Sequence, residues 1–292
     1  MAMSNTFLYV VTVLIWGSTW LAIEYQLGVV EPEVSIVYRY LIASMVLFIW
    51  CKIKGLPLAF KAKDHLWFGL LGLLLFCLNY IMTYRAQVHI TSALAAIAFS
   101  MMLWMNILLS RVLFGTRAGL RVLVGALLGI VGIVVLFAPQ VQSVSLDDAV
   151  FYGFSLALLG ALSASCGNMA SQASQKRALP VVQGNAWGMF YGAILTGIVA
   201  VASGHDFNFD GTFTYIASLA YLAIFGSVVA FGAYLTLLGR IGAHKAGYAT
   251  VMFPVVALIL SMAFEGLRLD GSIVTGTSLV LLGNLLVLKK SP

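Results

Sequence analysis

Apolar residues run through this chain in long blocks, separated by short clusters of charged and turn-forming residues, and ten such blocks follow one another. They lie near residues 6 to 26, 34 to 53, 65 to 86, 90 to 113, 118 to 138, 149 to 173, 181 to 203, 213 to 239, 244 to 264 and 270 to 288. About 20 helical residues at 1.5 Å each cover a hydrocarbon layer of roughly 30 Å, so each block is of a length to cross a membrane. The breaks carry ordinary helix-stopping chemistry. At Glu31-Pro32-Glu33 the residue before proline is driven out of the helical region, ending one block and opening the next. The pattern predicts an all-α membrane protein of ten transmembrane helices.

Composition agrees. Of the 292 residues, 62% are hydrophobic and 9% charged, whereas a soluble domain carries about a quarter charged residues. No polar stretch is long enough to fold as a separate domain. The first block has neither a basic segment before it nor a small-residue cleavage site after it, so it is expected to stay as a span.

The net charge of +6 is explained by its placement. Lysine and arginine are retained on the cytoplasmic side of short loops. With both termini inside, the cytoplasmic segments hold Lys52, Lys54, Arg111, Arg117, Lys176 and most other basic residues, while the opposite side holds Arg85 and Arg268. Glu31, Glu33, Asp206 and Asp210 sort to that opposite side, with Asp64 the clear exception. The basic balance therefore reports topology, and no nucleic-acid partner is expected.

The two halves echo one another. Tyr80, Phe99 and Arg111 recur as Tyr234, Phe253 and Glu265 at one constant offset, and Gly125 and Gly132 recur as Gly276 and Gly283 after a small shift. This suggests two repeats, residues 1–140 (spans 1 to 5) and 141–292 (spans 6 to 10). Five is odd, so the second copy must start from the other membrane face, giving inverted repeats around a central cavity, the arrangement in which secondary transporters bind solute near the midplane. Gly184, Gly188 and Gly192, four apart, and Gly125 with Gly129 are spaced for close helix contact.

Enzyme chemistry finds little support. No two of His65, His89, His205 and His244 stand at metal-ligand spacing, and no phosphate-binding glycine loop occurs. Cys51, Cys77 and Cys166 have no paired spacing. No catalytic residue, metal site or cofactor is expected.

Candidate substrate contacts are aromatic or neutral polar residues at mid-depth, where an unpaired hydroxyl or amide in lipid would be costly. They are Trp16, Trp20, Asn79, Tyr80, Tyr84, Ser100, Trp104, Asn168, Tyr234 and Tyr248. The bland alternative is that the aromatics are packing or interfacial residues, and that Ser18 and Thr19 bond back to their own helix. Glu24 and Arg39, joined by one short loop, could form an ion pair or each snorkel to the interface, and Arg39 could instead draw a substrate carboxylate. Pro254 interrupts the ninth block and is expected to kink it. No aspartate or glutamate lies at mid-depth, so strong proton coupling is not expected.

Trp16-Gly17-Ser18, Pro32 followed by Tyr38-Arg39-Tyr40, the proline in the ninth block and the repeated glycines together resemble the drug/metabolite transporter superfamily, in its ten-helix EamA-type branch. The resemblance covers the whole chain. It implies a bacterial inner-membrane exporter of amino acids, aromatic ones among them, or of similar small amphipathic metabolites, through a central cavity in the lipid bilayer. Alternating access is the expected mode, and a monomer is one arrangement among those the sequence leaves open. Two residues depart from the pattern: Ala164 stands where many relatives carry a tryptophan matching Trp16, and Glu24 where a basic residue is common. A multidrug exporter of lipophilic compounds is the second reading. An intramembrane enzyme or a non-transporting scaffold is the reading from another class.

Overall fold

The computed structural model describes residues 3–142, 148–264 and 271–288. The described residues form helices and turns. In chain order the helices are α1 (Asn5–Glu24), α2 (Pro32–Ile53), α3 (Ala62–His89), α4 in two pieces (Ser92–Ser100 and Met102–Phe114), α5 (Leu120–Gln142), α6 (Asp148–Lys176), α7 (Val181–Ala202), α8 (Phe213–Ile241), α9 (Tyr248–Phe264) and α10 (Gly271–Leu288). A single turn, Ala243–Ala246, leads into α9. Seven helical stretches, namely α1, α2, α3, Ile97–Phe114 of α4, α6, α7 and α8, are long and apolar enough to cross a membrane. Leu120–Leu136 and Gly271–Val287 are shorter apolar helices.

Local sequence explains the starts and stops. Ser4, Thr91 and Thr212 cap α1, α4 and α8 by accepting from the backbone N–H three residues on. Pro32 opens α2 at a position where its missing N–H costs nothing. Gly115 and Gly204 turn the chain at positive φ after α4 and α7.

The outer surface is apolar. Leu14, Met45, Leu108, Leu159, Ile198 and Leu285 are all exposed, as helices bathed in lipid permit and helices bathed in water do not. Polar side chains turn inward instead, and Arg39, Asn79, Asn106, Asn168 and Gln183 are buried.

Without a hydrophobic drive between helices in lipid, close packing must hold them together, and glycine supplies it. A Cβ added to Gly132 would lie 2.7 Å from the Gly276 carbonyl oxygen, and one on Gly125 would lie 2.7 Å from that of Gly283. The backbones of α5 and α10 therefore touch. On α7, a Cβ at Gly192 would lie 2.5 Å from Phe76 Cβ, and Gly188 also abuts Phe76.

The pairings show a pattern. Helix α1 packs on α8 and α9, while α6 packs on α3 and α4; α2 packs on α8, while α7 packs on α3; and α2 pairs with α7 as α5 pairs with α10. Exchanging the first five helices for the last five maps each of these contacts onto another of them, or, for α2–α7 and α5–α10, onto itself. Helices α3 and α8 also share a local irregularity, π-helical stretches at Gly72–Leu78 and Leu222–Val229.

Candidate functional site

A cavity lies among α1, α3, α4, α6, α8 and α9. Its lining includes Trp16, Thr19, Trp20, Asn79, Tyr80, Thr83, Phe99, Ala164, Asn168, Phe231, Tyr234 and Phe253. It offers about 60 Å³ to the centre of a water molecule, several times the roughly 10–15 Å³ that one water needs. None of the lining residues is Asp, Glu, His, Lys or Cys.

Trp16 is its central ring. It meets Phe231, Tyr234 and Phe253 at centroid distances of 4.8, 4.9 and 5.7 Å, and Trp20 meets Phe99 at 5.6 Å. The Trp16 indole N–H donates to the Gly226 carbonyl at 3.0 Å. Gly17, between the two indoles, has a packing reason, since a Cβ there would sit 2.5 Å from Val256 Cβ on α9. Thr19 back-bonds to the Trp16 carbonyl at 2.8 Å and Ser18 to that of Ile15 at 2.8 Å. Ser18 also shares a 2.6 Å bond with the Tyr221 hydroxyl.

Deeper in, amides order the wall. Asn168 donates to the Tyr234 hydroxyl at 3.0 Å and to Asn106 Oδ1 at 3.3 Å, which also accepts from Ser165 at 2.7 Å. Asn79 donates to the Leu75 carbonyl at 3.2 Å, and Thr83 donates to the Asn79 carbonyl at 2.8 Å. The Trp20 indole N–H is buried without a hydrogen-bond partner.

Arg39 stands one side chain behind this wall, 1% exposed. Its Nε donates to Ser227 Oγ at 2.9 Å, and its terminal nitrogens donate to the Tyr84 and Tyr80 hydroxyls at 3.4 and 3.3 Å. Its guanidinium carbon lies 4.6 Å from the Tyr80 ring centroid. The π-helical stretch of α8 thus serves both halves of the site, giving Gly226 to Trp16 and Ser227 to Arg39. Such stretches recur at functional positions because their widened turn frees backbone groups.

Of the alternatives open for Glu24 and Arg39, the structure removes their ion pair. Glu24 is exposed, and among the described residues no carboxylate reaches ion-pair distance of Arg39. Snorkelling is excluded for Arg39, whose guanidinium is buried, while the exposed Glu24 is in keeping with it.

Of the ten residues singled out from sequence, the fold brings Trp16, Trp20, Asn79, Tyr80, Asn168 and Tyr234 to the cavity wall. Four lie elsewhere. Tyr84 holds Arg39, and the buried Ser100 back-bonds to Ile97. Trp104 packs half-buried against the core. The Tyr248 hydroxyl donates to the carbonyls of Gly125 and Val280, locking α9 to α5 and α10. Pro254 sits buried inside α9, where its missing N–H leaves the Thr250 carbonyl without its usual partner. Sequence reasoning passed over Thr19, Thr83 and Phe231, which stand one to four positions from residues it chose. Phe99 and Phe253 were visible only as a repeated pair.

The model of the EamA-like transporter family matches this chain twice, over residues 3–138 and 151–289. The chain belongs to that family. It is 27% identical over 282 residues to YedA of Escherichia coli (strain K12), an uncharacterized inner membrane transporter, covering 94% of this chain and 89% of that protein. It is 23% identical over 292 residues to a protein of Salmonella typhimurium named "probable amino-acid metabolite efflux pump", covering 97% and 94%. Its fold is also that of a solved crystal structure, with a TM-score of 0.80 at 18% identity, covering 97% of this chain and 96% of the other. The protein is a membrane transporter that moves a small molecule.

Proposed function

We propose that this transporter exports amino acids or closely similar amphipathic metabolites across a bacterial inner membrane. Ten spans in two inverted five-helix repeats, with both termini cytoplasmic, would carry the solute by alternating access. The exchange pattern among helix contacts supports the repeat, as does the cavity wall, where Tyr80 and Tyr234, and Phe99 and Phe253, come in pairs.

One observation carries the choice of solute. Among the described residues, a fully buried guanidinium without a carboxylate partner stands behind an aromatic wall that also presents an unpaired indole N–H. Burying an uncompensated cation is costly, and an anionic or zwitterionic solute offsets that cost. The rings accept an apolar side chain, and Ala164 presents no more than a methyl group to the cavity. The described lining residues include no acidic, histidine, lysine or cysteine side chain, which favours a carrier without strong proton coupling over an intramembrane enzyme. The positive charge also disfavours lipophilic cations, the solutes of a multidrug exporter.

The test is counterflow of labelled amino acids in proteoliposomes, with and without an imposed proton gradient. Saturable transport of zwitterions, insensitive to the gradient and reduced by Trp20→Ala, is expected. Transport of organic cations with no amino-acid competition would overturn the reading.

A further inference from the structure

We propose a divalent transition-metal site, of a kind suited to Zn²⁺, built from Glu31, Glu33 and His205 at the end of the molecule that carries the α1–α2 turn. It goes beyond the transport reading and does not depend on it. Glu31 precedes α2 and Glu33 lies in its first turn, whereas His205 follows α7. Each offers one ligand atom, and these three atoms lie within 4.8 Å of one another.

Acidic residues at the start of a helix are common, since they complement its dipole. That explanation accounts for an acid at either position but not for the burial of Glu33. The Glu33 side chain is 1% exposed, and while Oε1 is held by Arg85, Oε2 is buried with no hydrogen-bond partner. His205 Nδ1 is buried and unpartnered too, and the two atoms face each other at 3.3 Å. A buried carboxylate oxygen 3.3 Å from an imidazole nitrogen, without hydrogen-bond geometry between them, is stabilised by a positive charge at that point, either a proton on the imidazole or a metal ion between the two atoms.

The spacing suits a metal. With bonds of about 2.1 Å from zinc to nitrogen and oxygen, a 3.3 Å edge subtends about 104° at the ion, near the tetrahedral angle. Glu31 is exposed and able to swing its carboxylate in as the third ligand. The pocket bounded by these residues, Arg85, His89 and Tyr152, about 280 Å³, leaves room for water as the fourth. Two carboxylates against the Arg85 guanidinium leave one net negative charge to attract the ion.

A bound ion would fasten the start of α2 to the segment after α7. That same end is already tied by the Gln26 amide donating to the Ser218 hydroxyl at 2.7 Å and the Asn208 amide donating to the Val29 carbonyl at 2.9 Å. The metal would therefore hold this end shut.

The experiment is equilibrium binding of ⁶⁵Zn²⁺ to chelator-stripped, tag-free protein in detergent at neutral pH, alongside its melting temperature with and without zinc. One site per chain is expected, with a zinc-dependent rise in melting temperature. His205→Gln and Glu31→Gln, made separately, should each weaken binding roughly tenfold or more, because each removes a ligand. Glu31 is exposed, so its variant tests the site even where His205→Gln disturbs the fold. Absence of stoichiometric zinc binding, or binding unchanged in Glu31→Gln, would overturn the proposal while leaving the transport reading untouched.

Discussion

Trp16 on α1 donates its indole N–H to the carbonyl of Gly226 on α8, 3.0 Å away and 210 residues along the chain. This bond, with the aromatic contacts around it, fixes the wall of the cavity where the first and last halves of the chain meet. Trp16→Phe keeps a ring and loses the bond, which should cost about 1–2 kcal/mol. Trp16→Ala removes the ring as well and should cost about 3–5 kcal/mol. Unfolding in detergent followed by near-ultraviolet dichroism measures both, and wild-type stability in Trp16→Phe would show that the bond contributes nothing.

Arg39 is gripped from Ser227, Tyr80 and Tyr84 at once. Lysine keeps the charge but lacks the planar fork that reaches three partners. On the proposed reading, Arg39→Lys should lower amino-acid transport in proteoliposomes by about tenfold with helix content unchanged, because there the positioning of the charge behind the wall, and not its presence alone, would set the solute's pose. Wild-type transport in this variant would remove Arg39 from the site.

Tyr234 accepts from Asn168, which also donates to Asn106. Tyr234→Phe should cost about 1–2 kcal/mol by leaving the amide short of a partner. Asn168→Ala in the same background should then cost less than it does alone. Strict additivity in a double-mutant cycle would show that the two groups do not interact.

Glycines divide by what surrounds them. Gly132→Leu must displace the α10 backbone at Gly276 and should cost roughly 1–3 kcal/mol or more. A Cβ on Gly69 in α3 would meet nothing within 4 Å, so Gly69→Ala should gain about 0.5–1 kcal/mol from helix propensity alone. Thermal melts of the two proteins should move in opposite directions.

The all-helical architecture was legible because lipid forces it. Every backbone group must be paired within its own segment, so apolar blocks of sufficient length have one solution. The cavity was legible in part for the same reason: polar and aromatic groups at mid-depth must find protein. That argument cannot say which protein surface each one finds. Tyr80 and Tyr248 read alike in sequence, yet one lines the cavity and the other pins α9 to its neighbours, a difference set by helix rotation. Arg39 read as a residue near the interface, because nothing local reveals that Ser227, 188 positions later, comes to meet it. Glu33 and His205 were hidden from any spacing rule by the same distance along the chain.

The π-helical stretches of α3 and α8 end at Leu78 and Val229, upstream of Tyr80 and Tyr234 on the same helices. A residue added to a helix turns everything beyond it by about 100°. Had either rod been wound uniformly, its phenol would point to a different compass bearing, toward a neighbour or the oily exterior. The aim of these two side chains is thus dialled in by surplus backbone upstream, and a one-residue deletion there would redirect them without touching either tyrosine.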